Sequence, residues 1–163
     1  MCNNKKLISI VVPNYNEVDT LDELYERTTK VMQTLTEYDY EIVFFDDGST
    51  DGSKKKIEEL CNKDNRIKAV FYSKNFGYAK GTFYCFQQAK GDCAVILHAD
   101  LQNPPEEIPK LVEKWETGAQ IVFGVKNQSR ENKFIYFIRT VFYWVINNIF
   151  GVKMVPHATE FEL

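Results

Sequence analysis

Asp100 and Gln102 stand two residues apart in the stretch Leu97–Glu107, LHADLQNPPEE, and their oxygens suit a hard divalent cation carrying a phosphorylated ligand. Ions of the Mg²⁺ type take a few protein oxygens and fill the rest of their shell with phosphate oxygens and water. The plainer reading of the stretch is a polar turn that caps the next helix. An acidic pair, Asp46 and Asp47 in DDGSTDGS, can accept hydrogen bonds from a nucleobase imide or from ribose hydroxyls. In the same loop Gly48 relieves the turn and Ser49–Asp51 cap the following helix. Here too, capping alone would account for the residues. Glu17, in NYNE, is either an exposed loop acid or a ribose contact. Farther on, Lys126, Arg130 and Lys133 could grip a phosphate or anionic headgroups, or form a solvated basic loop.

Each of these loops needs a strand before it and a helix behind it. Ile8–Val12 is a continuous β-branched run closed by Pro13, which reads as a strand buried on both faces. Thr20 and Glu23 have the spacing of a capping box, and Leu21, Leu24, Tyr25, Thr28, Val31, Met32 and Leu35 recur at helical spacing. Ile42–Phe45 is the next strand, and Ile57, Leu60 and Cys61 mark the inward face of a lysine-rich helix. Ile67–Tyr72 follows as a strand, SKNFGYAKG opens a helix running to Ala89, and Gly91 is placed as the residue after its end. A fourth strand covers Ala94–Leu97. Pro104 and Pro105 start a helix whose buried stripe is Ile108, Leu111, Val112 and Trp115; Gly118 closes it, and Ile121–Phe123 reads as a fifth strand.

Strands alternating with helices of this length predict a doubly wound, mostly parallel α/β sheet with right-handed connections. The loops at 14–17, 46–49, 74–77 and 98–106 all follow strands, so they converge on one sheet edge, where open α/β sheets bind ligands. A fold needs turns at that edge; it does not need acidic pairs in two of them.

With 44% hydrophobic and 26% charged residues the 163-residue chain has globular composition, and its net charge of −3 gives no general drive toward nucleic acid. Cys2, Cys61, Cys85 and Cys93 form no CxxC pair, so they read as reduced thiols in a cytosolic setting. The apolar run after MCNNKK is too short for a signal peptide, and no uninterrupted apolar stretch reaches ~18 residues. Two regions are expected, a core over 1–125 and a segment over 126–163 in which a basic loop precedes an aromatic amphipathic helix. From Phe134 to Phe150 that helix would be about 25 Å long, short for a span, and it reads as interfacial or partner-packing, or else as a cover for the sheet edge. The abrupt end at HATEFEL reads as a fragment of something longer.

VVPNYNE, DDGSTDGS, KNFGYAKG and ADLQNPPE, in this order and spacing, resemble the nucleotide-sugar-binding domain of family 2 inverting glycosyltransferases. The ADLQNPPE form is most similar to the dolichyl-phosphate and polyprenyl-phosphate sugar synthases and their bacterial relatives. The resemblance implies a Rossmann-like GT-A sheet in which Pro13, Tyr15 and Glu17 line the nucleotide pocket. It implies further that Asp47 with Asp46 reads the base, that Lys74, His98 and Ala99 lie near the nucleotide, and that Asp100 and Gln102 hold Mg²⁺ or Mn²⁺. His98 stands where the family usually has an aspartate; a neutral imidazole still ligates or hydrogen-bonds, with one negative charge fewer. Glu160, in TEF, resembles the acid of the family's glycine-aspartate-phenylalanine motif and is the candidate base.

The activity so implied is metal-dependent, inverting transfer of a sugar from a UDP- or GDP-sugar to a polyprenyl phosphate or a saccharide. Its implied place is the cytoplasmic face of a membrane, with a membrane surface as partner and no nucleic acid. A sugar hydroxyl would need a base, whereas a lipid phosphate is already an anion. Two alternatives stand beside it. A sugar-1-phosphate nucleotidyltransferase would want a glycine-rich, arginine-bearing loop after the first strand, which PNYNEVDT is not. A non-catalytic nucleotide-sugar-binding module would follow from His98 and the early end.

Overall fold

Apolar runs with no polar alternation form strands only where a sheet is covered on both sides, and the run at 42–45 is buried throughout. The computed structural model describes residues 5–125 and 158–162. β1 (Lys6–Asn14) is flanked by β2 (Tyr38–Asp46) and β4 (Cys93–Ile96), with β3 (Ile67–Phe71) outside β2. All three pairings are parallel. Helices α1 (Leu21–Thr34), α2 (Ser53–Lys63) and α4 (Ile108–Glu116) share one core with the even-numbered face of β1, among them Leu24, Ile57 and Ile108 against Ile10 and Phe44. Helix α3 (Tyr78–Gln88) covers the other face, where Cys85 meets Val11, Val43 and Phe45. The sheet is therefore doubly wound, and its strand order reverses between β1 and β4, which opens a crevice beyond their carboxyl ends.

The inward positions expected for α1 are buried at Leu21, Leu24, Tyr25, Thr28 and Met32, and those of α4 at Ile108, Leu111 and Val112. Gly118 ends α4 in the left-handed region at φ 97°, with its N–H on the Trp115 carbonyl and that of Ala119 on the Lys114 carbonyl, a Schellman closure. Three expectations are corrected. Thr20 makes no capping box, because its hydroxyl donates to the carbonyls of Glu17 and Ala99. Gly91 does not cap α3, which ends in the extended Ala89; a Cβ there would lie 2.6–2.7 Å from the Cys93 and Leu7 oxygens and the Ser9 nitrogen. The fifth strand is displaced as well.

That strand, β5, is Phe123–Val125 and pairs with β6 (Ala158–Glu162) as a separate two-stranded sheet. Ile121 is 65% exposed, and of the run Ile121–Phe123 only Val122 packs on the main core. Three apolar residues mark a strand without choosing its partner. By its contacts the chain divides into two units, the second spanning Phe123–Glu160. The aromatic segment 134–150 and the basic residues Lys126, Arg130 and Lys133 lie outside the described residues.

Candidate functional site

β1 carries NYNE to the crevice, and the loop after β2 laces it in place. Asn14, 3% exposed, donates from Nδ2 to Asp46 Oδ1 (2.8 Å) and to Ser49 Oγ (3.2 Å). Asn16, left-handed at φ 55°, accepts from the Thr50 N–H (2.8 Å) and donates its own N–H to Ser49 Oγ (2.9 Å). Asp51 accepts from the N–H groups of Val18 and Ser53; burial pushes its carboxyl up, but these bonds and the Ser53 hydroxyl outweigh it and hold it low.

The second loop is keyed into the third. Asp47 accepts the Phe76 N–H on Oδ1 (2.8 Å) and the Gly77 N–H on Oδ2 (3.0 Å). Gly48 sits at φ 75° with its missing Cβ 2.8 Å from the Lys74 carbonyl carbon and 2.9 Å from the Asn75 nitrogen, so no side chain fits there. Tyr78, the first residue of α3, stacks on His98 with ring centroids 5.4 Å apart at 25°, and its hydroxyl is 3.3 Å from His98 Nε2.

The fourth loop leaves β4 through Leu97. Thr20 Oγ1 holds the Ala99 carbonyl at 2.6 Å, Leu101 turns left-handed at φ 58°, and Asp100 Oδ1 takes the Gln102 N–H at 3.0 Å. Arg27 on α1 forks onto Glu106 (2.9 and 2.7 Å) and so pins the far end of this loop.

These loops enclose a cleft of about 260 Å³ lined by Pro13, Tyr15, Glu17, Asp47, His98, Ala99 and Asp100, all of them named from the sequence, with Tyr78 and Asn75 among the others. Asp46, Lys74 and Gln102 do not line it. Asp46 is 2% exposed and engaged by Asn14 and the Ser49 N–H, Lys74 lies over the Phe76 ring, and Gln102 points its side chain to solvent while its backbone serves Asp100. Glu160 falls on β6, in the second unit. Sequence reasoning missed Tyr78, although it lies inside KNFGYAKG, and it missed Asn14, whose Oδ1 is buried without a partner among the described residues.

Burial raises the Glu17 carboxyl above its ordinary range, and the charges of Asp100, Asp51 and Asp19 push the same way. A spot where carboxylates repel one another favours a cation. Among the described residues no three His, Cys, Asp or Glu side chains are grouped to hold one. Asp100, which lines the cleft, could anchor such an ion, whose other ligands would come from a diphosphate and water.

The model of the family described as Glycosyl transferase family 2 matches residues 9–160. The chain belongs to that family. Among curated relatives, it is 44% identical over 126 residues to the undecaprenyl-phosphate 4-deoxy-4-formamido-L-arabinose transferase of Proteus mirabilis (strain HI4320), covering 77% of this chain and 38% of that protein. With the Pseudomonas fluorescens (strain SBW25) protein of the same name the identity is 38% over 152 residues, covering 93% and 44%. The chain thus spans less than half the length of these two relatives. Among solved structures, a mannosyltransferase from Pyrobaculum calidifontis in complex with GDP-Man and Mn²⁺ superposes with TM-score 0.61 at 22% identity, covering 84% of this chain and 39% of that one. The glucosyl-3-phosphoglycerate synthase of Mycobacterium tuberculosis in complex with UDP does so with TM-score 0.62 at 20% identity, covering 94% and 55%. At such identities the likeness is one of fold, the GT-A sheet of nucleotide-sugar transferases.

Proposed function

We propose that this chain forms the donor half of a glycosyltransferase that moves a sugar, with inversion, from a UDP- or GDP-sugar to a polyprenyl phosphate. The observation that carries the reading is the convergence of Glu17, Asp47, His98 and Asp100 on one cleft at the switch point between β1 and β4. The acceptor class is suggested by the names of the two undecaprenyl-phosphate transferases to which the chain is similar.

In this reading the base and ribose lie against Pro13, Tyr15 and Glu17. The stacked Tyr78 and His98 rings form a further part of the cleft wall. Asp100 would hold a divalent cation, with Gln102 contributing through the turn that fixes the Asp100 carboxylate. Such an ion, when bound, neutralises charge developing on the diphosphate leaving group. The loops supply orientation, setting donor and acceptor in line. A lipid phosphate attacks as an anion, so Glu160 is needed as a base only for a hydroxyl acceptor. Lys126, Arg130 and Lys133 are assigned to the acceptor phosphate.

Calorimetric titration of the whole chain with UDP and with GDP, with and without Mn²⁺, tests the reading. One nucleotide binds more tightly with Mn²⁺, and Asp100→Ala removes that gain, a loss of about tenfold or more. Failure to bind either nucleotide under both conditions overturns it.

A further inference from the structure

Helix α3 has two faces of different character. Inward, Gly81, Thr82 and Cys85 help to line the cleft. Outward, Phe83 is 69% exposed and Tyr84 42%, with Phe76, in the loop entering the helix, at 46%. Large rings standing in water on one short stretch mark a surface that something covers.

Along the sequence the charge around them is one-sided. Between Asp64 and Asp92 the sequence holds no Asp or Glu, yet it holds Arg66, Lys68, Lys74, Lys80 and Lys90, in a chain whose net charge is −3. Arg66 and Lys68 are paired with Asp64 and Glu41. Lys74, before the start of α3, and Lys90, after its end, make no ion pair among the described residues. Exposed rings framed by ammonium groups match an anionic lipid layer, where aromatic side chains settle at headgroup depth and lysines meet phosphate. A second copy of the chain fits poorly, since a twofold contact would set this basic face against itself.

We propose that the outer face of α3, with Phe76, Phe83 and Tyr84 between Lys74 and Lys90, docks on an anionic lipid surface. The proposal deepens the polyprenyl-phosphate reading and rests on it. The helix that walls the cleft is then the one that meets the layer in which a lipid phosphate lies.

Co-sedimentation of the whole chain with phosphatidylglycerol vesicles and with phosphatidylcholine vesicles tests it. The chain binds the former, salt weakens the binding, and the latter capture little. Phe83→Ser combined with Lys90→Glu lowers binding about tenfold, whereas Lys55→Glu, an equal charge change on α2 across the sheet, leaves it within about twofold. Overturning results are no binding to phosphatidylglycerol, equal binding to both vesicle types, or an α3 variant that binds like the wild type. Self-association of the wild type that this variant abolishes would also overturn it. Circular dichroism confirms that the variants fold, and nucleotide titration of the same samples separates the two readings. Retained nucleotide binding without vesicle binding sinks only the docking face, and the converse sinks only the transferase site.

Discussion

A carboxylate with each oxygen held by a successive backbone amide, as Asp47 is by Phe76 and Gly77, acts first on its own loop. Asp47→Ala releases both amides, and with them the segment that positions Tyr78 against His98. Nucleotide affinity then falls about tenfold, because the cleft must be ordered at the moment of binding. Hydrogen exchange at Phe76 and Gly77 quickens in the same variant; unchanged exchange would contradict this role. The DD pair divides at the strand end: Asp46, the last residue of β2, turns inward to Asn14 and Ser49, and Asp47, in the loop after it, lines the cleft. The letters alone do not say which. Asp100 was legible because it lies in the loop that follows a strand, whereas Tyr78 takes its role from His98, 20 residues away in sequence, a relation that only the folded chain creates.

Among the elements, β2 hides a charge where a strand is least expected to carry one. Glu41 is 3% exposed, and it accepts from Ser9 Oγ (2.6 Å), the Lys90 N–H (2.8 Å) and the Lys68 ammonium. Burial pushes its carboxyl up, but Lys68, Ser9 and the Lys90 amide outweigh that and hold it below the ordinary range. Through this carboxylate β1, β2, β3 and the turn after α3 are fastened together. Glu41→Ala strands the Ser9 hydroxyl and the Lys90 amide away from water and costs about 2–4 kcal/mol, measurable as a lower urea midpoint with an unchanged slope. The strand was expected over Ile42–Phe45, yet β2 begins at Tyr38. Its partners come from three other segments, which periodicity cannot see. Sequence pattern did place all four strands of the main sheet and both faces of α1 and α4, since burial there follows from spacing alone.

For the whole molecule, resistance to acid depends in part on one turn. Asp64, closing α2, accepts from Tyr25 Oη (3.2 Å) and from the Arg66 fork (2.9 and 2.7 Å), which joins α1, α2 and β3. The Arg66 guanidinium holds its carboxyl down at about 2, against an ordinary 3.8. A depressed folded value means stability present above about pH 4 and lost as the pH falls through about 2. Water around Arg66, whose side chain is 41% exposed, trims the contribution to about 1–2 kcal/mol. Urea unfolding from about pH 6 to pH 2 should show Asp64→Asn less stable by that amount near neutrality and equal to the wild type at the acid end; a constant gap would refute the assignment.

The reversal of strand order has a temporal consequence. In the ladder Ile8 pairs with Tyr40, 40 − 8 = 32 positions on, but also with Cys93, 93 − 8 = 85 positions on. Contacts that close longer loops are entropically dearer and arrive later in folding. One wall of the cleft, from the loops after β1 and β2, can therefore exist before the other, which waits for β4. A nucleotide touching Glu17 and Asp100 would grip the seam sealed last, slowing its reopening far more than it speeds its closure.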